Sequence, residues 1–146
     1  MATFESFEEI QAWQQSRVLI RKIRTICKKP TVRKDFAFVD QITRSARSVS
    51  ANIAEGFEAL TVPEFINFLG YAKRSSGEVR SHLYDALDEQ YITQQEFIEL
   101  SEITKIICRM IAKLIHYLQS LDPDFKRTMA NVVKLKTKNQ ELTNHL

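Results

Sequence analysis

The stretch from Thr93 to Leu121, TQQEFIELSEITKIICRMIAKLIHYLQSL, decides the fold of this chain. It opens on a capping box, in which the Thr93 hydroxyl accepts from the N–H of Glu96 and the glutamate reaches back to the N–H of Thr93. Apolar side chains then recur every three or four residues, the spacing of one helical face. They are Phe97, Leu100, Ile107, Ile111, Leu114, Leu118 and Leu121, with Thr104 in register. The stretch therefore predicts one long amphipathic helix, closed by Pro123.

Three further segments with helical spacing precede this one. The first opens on a capping box at Ser6-Phe7-Glu8-Glu9 and ends before Pro30, and the third opens on Thr61-Val62-Pro63-Glu64. The second runs from near Asp40 to a stop at Gly56, with a continuation through Phe57, Ala59 and Leu60 as the alternative. Helices of this length with short connections pack antiparallel. The sequence predicts an all-α fold, an up-down-up-down four-helix bundle over residues 1–122. Residues 123–146 form a basic C-terminal tail, expected to be flexible or a short docking helix.

Composition and the absence of known motifs narrow the classes of protein to which this chain can belong. The 146 residues include only three glycines, three prolines and two cysteines, which is typical of a helical globular domain and not of a disulfide framework. No hydrophobic leader and no apolar run of membrane-spanning length occurs in the sequence, so a cytoplasmic location is expected. The zinc, di-iron, nucleophile-elbow and phosphate-loop motifs are absent as well. We therefore expect no enzyme activity, no catalytic residue, no small-molecule substrate, and no metal or cofactor.

The last predicted helix is apolar on more than one side. Ile98, Ile103, Ile106, Met110 and Ile115 lie outside its main stripe. A helix that is apolar nearly all round is buried nearly all round. Ile106 and Met110 are therefore candidate subunit-interface residues. A broad core stripe with a few tolerated surface residues would explain the same pattern.

The second helix carries a polar stripe beside its apolar one, formed by Gln41, Ser45, Ser48, Asn52 and Glu55. We predict that Arg44, Asn52 and Glu55 are structural and hold this helix to a neighbouring helix or subunit. The alternative is an ordinary solvated face.

Charge is distributed unevenly over the chain. Residues 1–122 carry 16 basic and 16 acidic side chains, so the net charge of +3 resides in the tail. Within the neutral part, eight basic residues and no acidic one lie between positions 17 and 34. They are Arg17, Arg21, Lys22, Arg24, Lys28, Lys29, Arg33 and Lys34, and we call them the basic stripe. A stripe of this kind can follow a phosphate backbone, although a solubilising face is the alternative.

Three segments resemble a known family. AWQQSRVLIRKI at residues 12–23, DQITRSARSVSANIAEGFE at 40–58 and EFINFLGYAKRSSGEVRSHLYDAL at 64–87 are similar to the four-helix-bundle proteins encoded in intervening sequences of 23S rRNA genes. The accessory protein of diversity-generating retroelements is related to them. The resemblance covers about residues 7–120 and implies a homopentameric, barrel-shaped assembly with positively charged surfaces. The retroelement relative binds nucleic acid and a reverse transcriptase.

Two hypotheses follow. In the first, the chain is a homo-oligomeric module that associates with RNA or DNA through the basic stripe. In the second, it is a pentameric scaffold or accessory subunit for a partner enzyme such as a reverse transcriptase. A phosphate-driven complex weakens steeply with salt, whereas an apolar docking face does not, so salt dependence separates the two.

Overall fold

The structure of the protein, a computed structural model, describes residues 4–121. A 3-10 turn at Phe7–Glu9 precedes four helices: α1 (Gln11–Cys27), α2 (Phe36–Glu58), α3 (Val62–Asp88) and α4 (Gln94–Ser120). Residues 4–121 contain no strand, so the fold is all-α, a four-helix bundle. None of the helices described is both long and apolar enough to cross a membrane. The predicted tail, residues 123–146, lies outside the described residues.

The core forms where the apolar stripes of the helices meet. Each helix contributes side chains that are almost completely removed from solvent, including Leu19, Val49, Leu69 and Ile107. Burial of this kind is the main favourable contribution to folding. α1 and α3 each pack against both α2 and α4, so the four helices enclose a single core.

The N-terminal capping box was predicted wrongly. The Ser6 side chain makes no cap hydrogen bond, and the Glu9 carboxylate accepts instead from the N–H of Glu5, at 2.8 Å. Ile10 is extended, with φ −74° and ψ 116°, and α1 begins only at Gln11. Ile10 is also almost fully buried. We infer that packing of this segment on the core overrides the local capping preference.

The predicted start of the second helix was also wrong, and of its two predicted ends the continuation past Gly56 is the one observed. α2 begins at Phe36 because the Asp35 carboxylate accepts from the N–H of Phe38, at 3.1 Å, as an N-cap. It continues past Gly56 to Glu58. Gly56 is buried, and a Cβ built on it would lie 2.8 Å from the Cβ of Phe68. This glycine permits a close approach of α2 and α3 and does not end the helix.

Candidate nucleic-acid interface

Most of the basic stripe is on the surface. The side chains of Arg17, Arg21, Arg24 and Lys28 are exposed along α1, and those of Arg33 and Lys34 are exposed in the loop to α2. Among residues 4–121, no carboxylate oxygen lies within 4.0 Å of these six cations. We call these six residues the free cations of the stripe.

Two members of the stripe are committed to the bundle. Lys22 forms an ion pair with Glu99 of α4, and Lys29 donates to both carboxylate oxygens of Glu96 at 2.8 and 2.9 Å. Lys29 also donates to the backbone oxygen of Tyr91, at 3.3 Å. The hydrogen bonds from Lys29 and then from Thr93 lower the pKa of Glu96. Lys22 therefore joins α1 to α4, and Lys29 joins the loop after α1 to the start of α4. The sequence showed the eight charges but not this division, because the partners lie about 70 positions away.

A second contact fixes the loop that carries Arg33 and Lys34. The Tyr91 hydroxyl donates to Asp35 at 2.7 Å, and Val32 between the helices is fully buried. This hydrogen bond is the main cause that lowers the pKa of Asp35, followed by the N–H of Phe38. The negative acceptor in turn raises the pKa of Tyr91 to about 12. The loop is thus held at both ends, and its cations project from a fixed backbone.

Trp13, the aromatic residue that precedes Arg17 on α1, is not a stacking platform. Trp13 is half-buried, its ring lies 5.1 Å from the ring of Phe7, and the Arg17 guanidinium lies 6.0 Å from its centroid. Recognition of single strands commonly uses aromatic faces that bases can reach. Trp13 is therefore not placed to stack on bases, whereas Phe36, two residues after Lys34, is 81% exposed.

The helix-two candidates differ from one another in their surroundings. Asn52 donates to the backbone and side-chain oxygens of Ser48, at 2.8 and 3.0 Å, and Ser75 of α3 donates to the same hydroxyl at 2.9 Å. Asn52 therefore lies in a polar layer between α2 and α3. Arg44 is exposed and pairs with Asp40 on its own helix, at 3.2 Å. Glu55 is exposed.

The candidate interface residues on α4 are both half-buried. Met110 packs against the core and lines a cleft of about 420 Å³ with Phe4, Ile10 and Leu114. Ile106 lies one turn before it. Of the off-stripe set, Ile98 is 52% exposed. This result leaves both explanations of the over-apolar helix open at Ile106 and Met110, and places an exposed apolar side chain at Ile98.

The part of the chain that the structure describes holds no group of three or more histidine, cysteine, aspartate or glutamate side chains placed to bind a metal ion. Cys27 and Cys108 are free thiols, and burial raises the pKa of Cys27.

Comparison with known proteins gives a family and a fold. The family model described as "23S rRNA-intervening sequence protein" matches residues 8–113. A solved structure, a protein of unknown function from the S23 ribosomal protein family of Bacteroides thetaiotaomicron VPI-5482, is similar at 24% identity with a TM-score of 0.66. The similarity covers 71% of this chain and 97% of that one. No curated protein matches.

The matched region spans α1, α2, α3 and most of α4, and so includes every helix that carries a candidate residue. It is well over half of the 146 residues. The chain belongs to the 23S rRNA-intervening sequence protein family.

Proposed function

We propose that this chain is a non-enzymatic, homo-oligomeric module that associates with RNA or DNA, and that the free cations of the basic stripe contact the phosphates. One observation carries the proposal: six exposed cations on α1 and its loop have no carboxylate within 4.0 Å among residues 4–121. Cations that neutralise phosphates release condensed counterions, which drives binding.

The proposal includes an antiparallel, up-down-up-down order and a homopentameric barrel. Contacts support the order: Lys22 in the second half of α1 meets Glu99 near the start of α4, and Gly56 near the end of α2 lies against Phe65 near the start of α3. Fivefold repetition would place five stripes on one body. Weak patches on a rigid assembly act together by avidity, so a modest stripe on each protomer suffices.

Charge reversal tests the site. The variant Arg17→Glu/Arg21→Glu/Arg24→Glu is expected to lose binding to duplex RNA and DNA at about 100 mM salt, because reversed charges repel phosphates. Arg47→Glu/Arg74→Glu/Lys113→Glu is the matched control, since these three exposed cations also have no carboxylate within 4.0 Å among residues 4–121 and the variant makes the same change in net charge away from the stripe. Deletion of residues 123–146 is expected to weaken binding much less than the stripe variant. Fluorescence anisotropy measures the three affinities, with circular dichroism and native mass to check folding and assembly.

Three outcomes contradict the proposal. Equal losses in the stripe and control variants would show that net charge alone is responsible, and a larger loss on tail deletion would move the site to the tail. Failure of the unmodified protein to bind RNA or DNA at low salt would favour the second hypothesis, a scaffold for a protein partner such as a reverse transcriptase. The first surface to test would then be that of the half-buried Ile106 and Met110, of which Met110 lines the cleft with Phe4, Ile10 and Leu114.

The division of the stripe gives a finer test. Arg21→Ala is expected to reduce the slope of log K against log salt by about 0.9, the loss of one phosphate contact on duplex DNA. Lys22→Ala removes the pair with Glu99 and is expected to leave that slope nearly unchanged. If Lys22→Ala alters the slope as much as Arg21→Ala, the ion pair opens on binding and Lys22 belongs to the site.

A further inference from the structure

Phe36, the first residue of α2, carries an exposed aromatic ring next to two free cations of the stripe. Phe36 is 81% exposed, more than any other aromatic residue among residues 4–121. Arg33 and Lys34 lie three and two positions before it. Phe38, by contrast, is buried, and its ring lies 5.2 Å from the ring of Tyr91. Successive residues of a helix turn by about 100°, so the two phenylalanines face opposite sides of α2.

The other exposed aromatic rings are covered within the protomer. The Arg74 guanidinium lies 5.7 Å from the centroid of the Tyr71 ring, and the ring of Tyr84 lies 4.8 Å from that of Phe97. In the part of the chain that the structure describes, no aromatic ring and no cation pairs with Phe36 in this way. Single exposed apolar side chains are common on protein surfaces. The distinguishing feature of Phe36 is therefore an open ring beside unpaired cations.

The backbone that carries this ring is held in place. Val32 is fully buried, and its N–H donates to the backbone oxygen of Lys29 at 3.0 Å. The N–H of Asp35 donates to the backbone oxygen of Val32 at 3.0 Å, and the Asp35 carboxylate accepts from the Tyr91 hydroxyl. Binding costs less when the contacting groups are already ordered. The ring of Phe36 therefore has only its own side-chain freedom to lose.

The two carboxylates nearest to Phe36 in the chain are already engaged. Asp35 accepts from the Tyr91 hydroxyl at 2.7 Å and from the N–H of Phe38 at 3.1 Å. Asp40 accepts from the Arg44 side chain at 3.2 Å. The charge that this segment offers to a partner is therefore that of the free cations of the stripe.

Space for a planar group lies beside the ring. Phe36, Val39 and Thr43 are among the residues that line a cleft of about 470 Å³. They follow one another at steps of three and four, so they share one side of α2. Proteins that bind single-stranded nucleic acid combine cations that follow the phosphates with aromatic rings on which the bases stack. The start of α2 has both parts of this arrangement.

We propose that Phe36 stacks on an unpaired base of single-stranded RNA or DNA while Arg33 and Lys34 contact the flanking phosphates. The inference rests on the proposed function and names the form of nucleic acid that this end of the stripe recognises. The bases of a duplex are already stacked on one another, so a duplex contacts the cations without covering the ring. An acidic peptide pairs with the cations but has no base to offer.

A comparison of strands with and without bases tests the stacking. The probes are a single strand of about 12 nucleotides, as RNA and as DNA, its duplex, and an abasic strand of the same length. Phe36→Ala is expected to weaken binding of the base-bearing strand about 5- to 100-fold, the usual loss for one stacked base. Binding of the duplex and the abasic strand is expected to stay nearly unchanged. The slope of log K against log salt is also expected to stay unchanged, because no charge is removed.

Three variants serve as controls in the same anisotropy measurement. Phe36→Trp is expected to keep the affinity, and Leu60→Ala is expected to leave it unchanged, because Leu60 is 95% exposed but lies beyond the other end of α2. Arg33→Ala/Lys34→Ala is expected to weaken the base-bearing and abasic strands alike. It is also expected to reduce the salt slope by about 1.4, the loss of two phosphate contacts on a single strand.

Tryptophan fluorescence reports the stacking directly. Trp13 is the single tryptophan of the chain, so Trp13→Phe/Phe36→Trp moves the emitting ring to position 36. The base-bearing strand is expected to quench this emission, and the abasic strand is expected to leave it unchanged. Circular dichroism and native mass confirm that each variant keeps its helicity and assembly.

Equal affinity of wild type and Phe36→Ala for the base-bearing strand would overturn the stacking, as would equal losses with and without bases. Either result would leave the phosphate contacts of the proposed function standing. A changed native mass of Phe36→Ala would show that the ring is a contact between copies and would also overturn the stacking. Failure of the wild type to bind the single strands, the duplex and the abasic strand at low salt would overturn both proposals.

Discussion

Gly56 lies where the backbones of α2 and α3 approach too closely to leave room for a Cβ atom. A Cβ there would be 2.8 Å from the Cβ of Phe68 and 2.9 Å from the ring of Phe65. The Phe68 Cβ is fixed to its backbone, so the helices must move apart to admit a methyl group. Glycine is therefore required by the packing of two helices, although it weakens the helix that contains it.

We predict that Gly56→Ala lowers the free energy of unfolding by about 1–3 kcal/mol, the usual cost of overpacking. Gly70→Ala is the matched control: its Cβ position is open, so a gain of about 0.5–1 kcal/mol from helix propensity is expected. Urea denaturation at one protein concentration measures both. A stabilised Gly56→Ala protein would show that the two helices separate at little cost.

Tyr91 and Asp35 connect the two loops at one end of the bundle. Asp35 has a lowered pKa, so its contribution to stability is present above the unfolded pKa near 3.8 and is lost as the pH falls through the lower folded value. Tyr91 has a raised pKa, so its contribution is present below 10 and is lost as the pH rises towards about 12. The contact therefore stabilises the protein through the whole neutral range.

We predict that Tyr91→Phe raises the pKa of Asp35 towards its ordinary value, because the largest cause of its lowering is the tyrosine hydroxyl. The stability difference from wild type should be full at neutral pH and should shrink below pH 4. Carboxyl carbon NMR titration measures the pKa, and denaturation at several pH values measures the difference. An unchanged Asp35 titration would show that the hydrogen bond is not held in solution.

At the scale of elements, similar sequence signals produced different helix starts. Thr93 and Glu96 form both hydrogen bonds of the capping box, at 3.1 and 3.0 Å. Thr61 accepts from the N–H of Glu64, but the Glu64 carboxylate accepts from Leu60 instead of Thr61. Ser6 caps nothing. The local sequence indicates where a capping box can form, and the packing of the surrounding residues decides whether it does.

We predict that Thr93→Ala lowers the free energy of unfolding by about 1 kcal/mol, the usual worth of an N-cap side chain. Ser6→Ala, at a position with the same sequence signature, is expected to change it by only a few tenths of that amount because Ser6 makes no cap hydrogen bond. Thermal and urea denaturation measure both variants. Equal losses would mean that Ser6 caps a longer first helix in solution.

At the scale of the whole molecule, the predicted structural residues separate into two kinds. Asn52 belongs to the polar layer with Ser48 and Ser75 inside one protomer. Arg44 and Glu55 are exposed, so the contact that their predicted structural role requires is one between subunits. A structural role for Asn52 therefore predicts an effect on protomer stability, and one for Glu55 predicts an effect on assembly.

We predict an oligomer of the 17.0 kDa chain, with five copies expected, in native mass spectrometry at micromolar concentration.

Asn52→Ala is expected to lower the melting temperature because it breaks the polar layer between α2 and α3. Glu55→Ala is expected to reduce the assembled fraction, with Glu58→Ala as the exposed control on the same helix. If Glu55→Ala leaves both melting temperature and assembled mass unchanged, Glu55 has no structural role.

The sequence by itself determined the helices and their core faces. Apolar residues at steps of three and four place Ile23, Ile53, Val79 and Ile107 on buried sides because helix geometry is local and its period is fixed. It also determined the concentration of cations at positions 17–34. Family membership followed from the same residues.

Tertiary structure alone decided which partners these residues contact. Lys22 and Lys29 look like Arg21 and Lys28 in the sequence, yet only the first two meet carboxylates of α4. Gly56 looks like a helix stop, yet it lies inside a helix against α3. In each case the deciding partner is distant in the chain, and periodicity gives a residue's own face but not what another helix places opposite it.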